Sequence, residues 1–210
     1  MMNKFNLNFV TFFGIGNIKF APGTFASAVV CLLFYFLIKY IPLSFWFLLI
    51  IFFLTLIYAP FAINKTLGNF NNESTDQMVN QEIFTGDDPK QIVIDEVLGM
   101  SIPLLFLSLA FQMPQIPNIL QNITSIVWFL DVHTMITKFY AIFYFEYIIL
   151  VYFLLFRFFD IFKPFPIGYV DKNFKNSFGI ILDDILAGLY CIILPFALTL
   201  LSPLLTFIGL

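Results

Sequence analysis

The stretch SFGIILDDILAGLYCIIL, residues 177–194, places two adjacent aspartates inside an otherwise apolar run. At the centre of a membrane helix, Asp183 and Asp184 would each cost about 2.5–3.5 kcal/mol. Such a cost requires a partner that offsets the two charges. The stretch therefore predicts a membrane helix that contributes two acids to a functional site.

The whole chain has the composition of a membrane protein. Its 210 residues are 60% hydrophobic and 11% charged, whereas a soluble domain carries about 25% charged residues. The formal net charge of −3 and the lack of a basic stripe argue against a nucleic-acid partner. Cys31 and Cys191 lie in apolar runs and are interpreted as buried hydrophobic residues. The N-terminus lacks the pattern of a removable signal peptide, so none is expected.

Five stretches are candidate membrane spans, which need about 20 mostly apolar residues. They are residues 24–41, 43–63, 92–111, 140–159 and 180–207. Pro195 predicts a kink or break in the last of them. A polar segment, 64–91, follows the second span, and an interfacial position is one interpretation of residues 119–132. The predicted fold is all-α: a multi-pass helical membrane protein with about five embedded helices in one domain, residues 1–210.

The positions of lysine and arginine predict the orientation, because cytoplasmic loops carry an excess of both. With a cytoplasmic N-terminus, eight basic residues fall on the cytoplasmic side: Lys4, Lys19, Lys65, Lys90, Arg157, Lys163, Lys172 and Lys175. Only Lys39 and Lys138 fall on the other side. The same topology places five acids at similar depth near the cytoplasmic surface: Asp95, Glu96, Asp160, Asp183 and Asp184. We expect these acids to form one convergent cluster.

Small residues lie one helical turn beyond acids in two of the spans. Gly99 follows Asp95 at i+4, and Gly188 follows Asp184 at the same spacing. Residues four apart share a helix face, and small side chains let membrane helices approach closely. The third and fifth spans are therefore expected to pack through these faces, although ordinary packing positions would show the same pattern.

The fourth span ends in RFFDIFKPFP, residues 157–166, where charges recur every three residues. Arg157, Asp160 and Lys163 share one stripe of a helix that Pro164 ends. One interpretation is an interfacial ion pair between Arg157 and Asp160, capped by the lysine. The other is an anion clamp, in which Arg157 and Lys163 hold phosphate oxygens and Asp160 joins a metal site.

A glycine-rich loop, FGIGNIKFAPGTFAS at residues 13–27, precedes the first span. Gly14, Gly16 and Gly23 allow sharp turns and close backbone approach, and Thr24 is a candidate helix cap. A loop of this kind at a helix N-terminus is suited to binding phosphate. Its spacing matches neither the dinucleotide fingerprint nor the P-loop.

Clustered carboxylates need a counter-charge, and oxygen-only ligation favours Mg²⁺ over zinc. A Mg²⁺ site flanked by arginine and lysine at a membrane surface suits the phosphate ester of a lipid headgroup. There the metal would neutralise phosphoryl oxygens and lower the pKa of bound water.

Four segments together resemble the phosphatidylglycerophosphatase A family. They are the loop at 13–27, IVIDEVLGM at 92–100, FRFFDIFKPFPIGYVD at 156–171 and GIILDDILAG at 179–188. The resemblance implies a Mg²⁺-dependent enzyme of the bacterial cytoplasmic membrane that converts phosphatidylglycerophosphate to phosphatidylglycerol and phosphate, with its site facing the cytoplasm. It implies metal and catalytic roles for Asp95, Glu96, Asp160, Asp183 and Asp184, and phosphate contacts for Arg157 and Lys163. The loop itself adds four candidate substrate-binding residues: Gly14, Gly16, Gly23 and Thr24.

The chain departs from the family pattern at a few positions. Ala26 stands where the family usually has glycine, and the connection at about 112–137 is longer than usual. Asp131 and His133 lie in that connection and are assigned no role. Glu146, inside the fourth span, has no assigned role either.

Other phosphatase chemistries fit the sequence less well. A cysteine nucleophile needs an arginine six residues later, where Leu37 and Ala197 stand instead. A histidine nucleophile needs two histidines, and the chain has one. An aspartyl-phosphate enzyme needs a D-x-D motif after a strand, and the sequence has none. Metal-assisted attack by water remains, with Glu96 or one of the aspartates as general base. Three alternatives stay open: a phosphatase for another lipid phosphate such as a polyprenyl phosphate, a proton or cation transporter, and a structural membrane subunit.

Overall fold

The computed structural model describes residues 4–41, 44–73, 91–112, 136–174 and 176–207. Within these ranges the chain forms seven α-helices and no strand, so the predicted all-α class is confirmed. The helices are α1 (Lys4–Val10), α2 (Pro22–Tyr40), α3 (Ser44–Glu73), α4 (Ile94–Gln112), α5 (Ile136–Phe162), α6 (Ile167–Asn173) and α7 (Ser177–Phe207), with a 3₁₀ turn at Ile15–Asn17. The predictions for residues 119–132, Asp131, His133, Lys90 and Lys175 lie outside the described residues.

Three helical stretches in the described part of the chain are long and apolar enough to cross a membrane: Pro22–Tyr40, Phe45–Leu67 and Ser177–Pro195. They correspond to the first, second and fifth predicted spans. Large apolar side chains such as Trp46 and Ile57 point outward, with 59% and 74% of their surface exposed, as expected for helices in contact with lipid. The third and fourth predicted spans are helical, as α4 and α5, and their passage through the bilayer stays a prediction.

Two helices run past points at which the sequence suggested a change. The predicted polar segment from residue 64 starts as part of α3, which continues to Glu73; hydropathy marks the end of the apolar stretch, and polar residues can prolong a helix beyond it. Of the kink or break expected near Pro195, the break does not occur, since α7 runs through this residue. Proline is tolerated in apolar helices where neighbouring groups compensate for the missing N–H.

Helix α4 is the centre of the bundle. It packs against α2, α3 and α5, and most extensively against α7. Its side chains Met100, Leu104 and Leu107 are fully buried, and the core that they form also includes Cys31 and Cys191. Both cysteines are free and buried, as predicted. Because this packing fixes α4 against α7, it also fixes the relative positions of the acids that these two helices carry.

Candidate active site

Three acids from two helices converge at one end of the bundle. Asp95 and Glu96 lie in the first turn of α4 and Asp184 lies near the start of α7, and oxygens of the three carboxylates are all within 4.8 Å of one another. Asp95 and Asp184 are buried and Glu96 is partly buried. The Glu96 N–H donates to Asp95 Oδ1 at 3.1 Å, and the positive end of the α4 dipole favours acids in this turn. The structure thus brings together three of the five predicted acids.

Close packing of two helices through glycine produces this convergence. A Cβ added to Gly99 would lie 2.6 Å from the carbonyl oxygen of Asp184, and one added to Gly188 would overlap the carbonyl oxygen of Gly99. The backbones of α4 and α7 are therefore in direct contact at the level of the acids. The predicted packing of these helices through small residues is confirmed.

Asp160 reaches the edge of the cluster from the last turns of α5. Arg157 Nη1 lies 2.7 Å from Asp160 Oδ2, and both side chains are largely buried. Asp160 is close enough to interact electrostatically with Glu96 and Asp184, and Arg157 with Glu96. The ion-pair interpretation therefore describes the structure, and it places the pair beside the carboxylates. Contact of Arg157 with phosphate stays a prediction.

Lys163 forms a second charged group with two acids. Its Nζ lies 2.6 Å from Asp183 Oδ2 and 2.8 Å from Asp171 Oδ1. Burial lowers the pKa of Lys163, but the hydrogen bonds to Asp171 and Asp183 outweigh it, and the net effect is a raised pKa. Lys163 is thus a fixed cation that orients the carboxylate of Asp183.

The backbone at the end of α5 positions this lysine. Lys163 has a positive φ of 43°, and its N–H donates to the Phe159 carbonyl at 2.9 Å. This left-handed residue ends α5 immediately before Pro164, and the turn leads into α6, which carries Asp171. Asp171 had no predicted role, although it belongs to the fourth-span motif. The position of Asp171, seven residues after Pro164, did not indicate that Lys163 is its partner.

The glycine loop contributes to the site at one of its predicted residues. A Cβ on Gly23 would overlap the Glu96 carboxylate, so the start of α2 packs directly on this acid. Gly16 lies instead against the carbonyl of Gln91, just before α4, and Gly14 has a φ of 92°, with Asn17 Nδ2 3.7 Å from where a Cβ would stand. The predicted cap by Thr24 is wrong, because α2 already begins at Pro22 and its N-cap is Ala21, which makes no side-chain cap hydrogen bond.

The chemistry of the cluster fits a divalent cation. Three carboxylates this close repel one another unless a cation or protons reduce their charge. Within the described part of the chain, the buried atoms Glu96 Oε2 and Asp183 Oδ1 have no hydrogen-bond partner. Oxygen-only donors of this kind suit hard cations. Asp95, Glu96 and Asp184 can therefore act as ligands of one ion.

Glu146 is explained by contacts remote from the acids. It accepts hydrogen bonds from Tyr35 at 2.9 Å and from Lys39 at 3.1 Å. These partners lie near the end of α2, more than ten residues from Gly23, so about 20 Å of helix separates them from the cluster. The contact links α2 to α5 and takes no part in the site.

Comparison of the sequence with known proteins identifies a family for this chain. A sequence model of the family described as Phosphatidylglycerophosphatase A matches residues 8–199. A Phosphatidylglycerophosphatase A of Haemophilus influenzae is 58% identical over 50 residues, which cover 24% of this chain and 31% of that protein. A Bacteroides thetaiotaomicron protein named "Putative phosphatidylinositol-3-phosphatase" is 28% identical over 187 residues, 88% of this chain and 87% of that protein. No solved structure matches. The family expected from the four motifs is confirmed, and the chain belongs to the phosphatidylglycerophosphatase A family of enzymes.

Proposed function

We propose that this chain is a Mg²⁺-dependent phosphatase that hydrolyses the phosphate monoester of phosphatidylglycerophosphate. The observation that carries the proposal is the convergence of Asp95, Glu96 and Asp184 beside Arg157 at one end of a bundle of apolar helices. Membership of the family supports the choice of this lipid as substrate. The site would face the cytoplasm at the bacterial inner membrane, as the distribution of basic residues predicts.

The residues of the site divide into three roles. Asp95, Glu96 and Asp184 would hold Mg²⁺, with Asp160 and Asp183 near enough to join them through rearrangement of their ion pairs. When bound, the ion neutralises phosphoryl oxygens and makes water a better nucleophile. Arg157 binds the phosphate oxygens of the substrate, since guanidinium is well matched to phosphate. Glu96 or one of the aspartates accepts the proton from water.

Lys163 and Gly23 act on the acids rather than on the substrate. Lys163 orients Asp183 through a 2.6 Å contact, and Gly23 permits α2 to pack against Glu96. Such supporting groups keep ligands in a productive geometry and typically contribute about 10- to 100-fold to affinity or activity.

The decisive experiment is a headgroup panel. Purified protein in detergent is assayed for free phosphate from phosphatidylglycerophosphate, phosphatidic acid, a polyprenyl phosphate and phosphatidylinositol 3-phosphate, with Mg²⁺ or with a chelator. We expect Mg²⁺-dependent release that is fastest from phosphatidylglycerophosphate. If none of the four lipids released phosphate, the result would contradict the proposal and favour a transporter.

A pair of acid-to-amide variants tests the site in the same assay. Asp184→Asn is expected to reduce phosphate release about 10²- to 10⁴-fold, the range for loss of a central catalytic group. Glu146→Gln, the matched control in the remote contact, should retain the activity of the unaltered protein. If Asp184→Asn retained full activity, as Glu146→Gln is expected to, the cluster would not be the active site.

An inositol lipid phosphate is the second candidate substrate. The Bacteroides thetaiotaomicron relative, whose name specifies a phosphatidylinositol-3-phosphatase, aligns with 88% of this chain. The same carboxylates could act on either headgroup, because both substrates are phosphate monoesters. Faster release from phosphatidylinositol 3-phosphate in the panel would replace the first candidate by the second.

A further inference from the structure

Helices α2 and α3 make few direct contacts with each other, and the space between them is an apolar cavity of about 170 Å³. Its walls are α2 and α3, and part of its lining comes from α4. Ser101, on α4, donates its hydroxyl to the Val97 carbonyl at 2.6 Å and so requires no other partner. The cavity is open at the side, since Leu33 and Ile51 in its walls are 49% and 43% exposed.

On α4 the cavity starts within one helical turn of two of the clustered acids, Asp95 and Glu96. Its lining includes Val97, the residue that follows Glu96 in α4. On α2 it extends from Val30 to Leu37, which at 1.5 Å per residue lies about 10 to 21 Å along the helix from Gly23. One leaflet of the hydrocarbon core is about 15 Å deep. The cavity therefore lies at the depth of the inner half of the acyl chains of a lipid whose phosphate lies at the acids.

We propose that this cavity binds an acyl chain of the substrate phospholipid. The inference rests on the proposed function, because the occupant is the substrate only if the acids bind the phosphate of a lipid. Its chemistry suits an alkyl chain: the lining is almost entirely apolar, and the lateral opening between α2 and α3 gives access from the bilayer. A membrane lipid unrelated to the reaction would occupy the same space without affecting turnover, and kinetics separates the two.

The test compares two neighbouring tryptophan substitutions on α2. Leu33→Trp fills the cavity from its wall, whereas Leu32→Trp adds the same bulk outside the lining, at a side chain that is 58% exposed. Phosphate release is measured for dioleoyl phosphatidylglycerophosphate in mixed detergent micelles and for the water-soluble dibutyryl form. We expect Leu33→Trp to raise KM for the dioleoyl lipid about tenfold, the effect of displacing two buried methylene groups. In Leu33→Trp, KM for the dibutyryl form should remain as in the unaltered protein. In Leu32→Trp, KM for both lipids should remain unchanged.

A second pair on α3 covers the case in which Leu33→Trp does not fold. Ile51→Trp fills the opposite wall, and Leu54→Trp is its control outside the lining. Equal KM values for the two members of a pair, or an equal effect on both chain lengths, would refute the acyl-chain site while the phosphatase activity persists. Failure of the unaltered protein to release phosphate from either lipid would instead refute the proposed function, and the acyl-chain site with it.

Discussion

Gly23 shows how one missing side chain supports the site. Because a Cβ at this position would overlap the Glu96 carboxylate, we expect Gly23→Ala to displace this acid from Asp95 and Asp184. Mg²⁺-dependent phosphate release should fall about 10- to 100-fold, as for other changes to groups that support a metal ligand. Phe25→Ala, which removes an exposed side chain from the same turn, is the control and should keep its activity. Full activity of Gly23→Ala would mean that Glu96 does not need its present position.

Lys163 is expected to act through its charge and its partners. Asp171→Asn removes one of its two acids, so Lys163 should hold Asp183 less firmly, and phosphate release should fall about tenfold. The neighbouring Lys172→Gln, at an exposed position, is the control. A loss of helical content in Asp171→Asn, measured by circular dichroism, would instead show that Asp171 only supports the fold.

The raised pKa of Lys163 also predicts a pH dependence. The folded-state pKa lies above the unfolded value of about 10.4, so the stabilisation is complete below about pH 10 and is lost only as the pH rises through the folded pKa. The difference in thermal stability between the unaltered protein and Lys163→Gln should therefore be constant from about pH 6 to pH 9. A difference that decreases across this range, followed by thermal unfolding in detergent, would contradict a charged Lys163.

The acids were predictable from sequence, whereas their partners were not. Asp95, Glu96 and Asp184 stand out because charges are rare in apolar runs, and glycines at i+4 indicated how their helices approach. Lys163 contacts Asp171 and Asp183 because the chain makes a left-handed turn after α5. A sequence pattern does not specify that turn. Glu146 was likewise unexplained, since its partner Lys39 is 107 residues away along the chain.

The contact between α4 and α7 is the element on which the site depends most. Gly188→Ala places a methyl group against the Gly99 carbonyl, so the two helices must separate. We expect a loss of about 1–3 kcal/mol in stability, typical of overpacking, together with weaker Mg²⁺ activation, because the separation moves Asp184 away from Asp95. Leu189→Met, an exposed neighbour on α7, should change neither thermal stability nor the Mg²⁺ concentration for half-maximal activity. Unchanged Mg²⁺ activation in Gly188→Ala would show that the acids tolerate a wider helix spacing.

Hydropathy located the helices better than it located their ends. The predicted second span stops at residue 63, whereas α3 continues to Glu73 with polar residues, and Thr66 satisfies its hydroxyl within the helix by donating Oγ1–H to the Ala62 carbonyl at 2.8 Å. Pro195 predicted a kink or a break on the basis of its missing N–H, and the break is absent because α7 is continuous there. Hydropathy measures preference for lipid, so it locates an apolar stretch and not the end of the helix that contains it.

At the scale of the molecule, charge is concentrated at the two ends of the bundle. α2, α4 and α7 begin at the end that carries Asp95, Glu96 and Asp184, and α5 ends there beside Lys163. The remote contact of Glu146 with Lys39 lies toward the opposite end of α2 and α5. Among the described residues, the part between is largely apolar, as a bilayer favours. The proposed reaction would therefore take place at one membrane surface, and the described acids form no path through the bilayer.

The orientation of the bundle can be tested with single cysteines, because Cys31 and Cys191 are buried in the core and should not react with a membrane-impermeant maleimide. Lys172→Cys introduces an exposed thiol on α6, near the acids, and Tyr40→Cys introduces one at the far end of α2, where Tyr40 is 66% exposed. If the acids face the cytoplasm, Lys172→Cys should be labelled in inverted membrane vesicles and protected in intact spheroplasts, and Tyr40→Cys should show the reverse. The opposite pattern would place the site on the outer surface and contradict the orientation predicted from the basic residues.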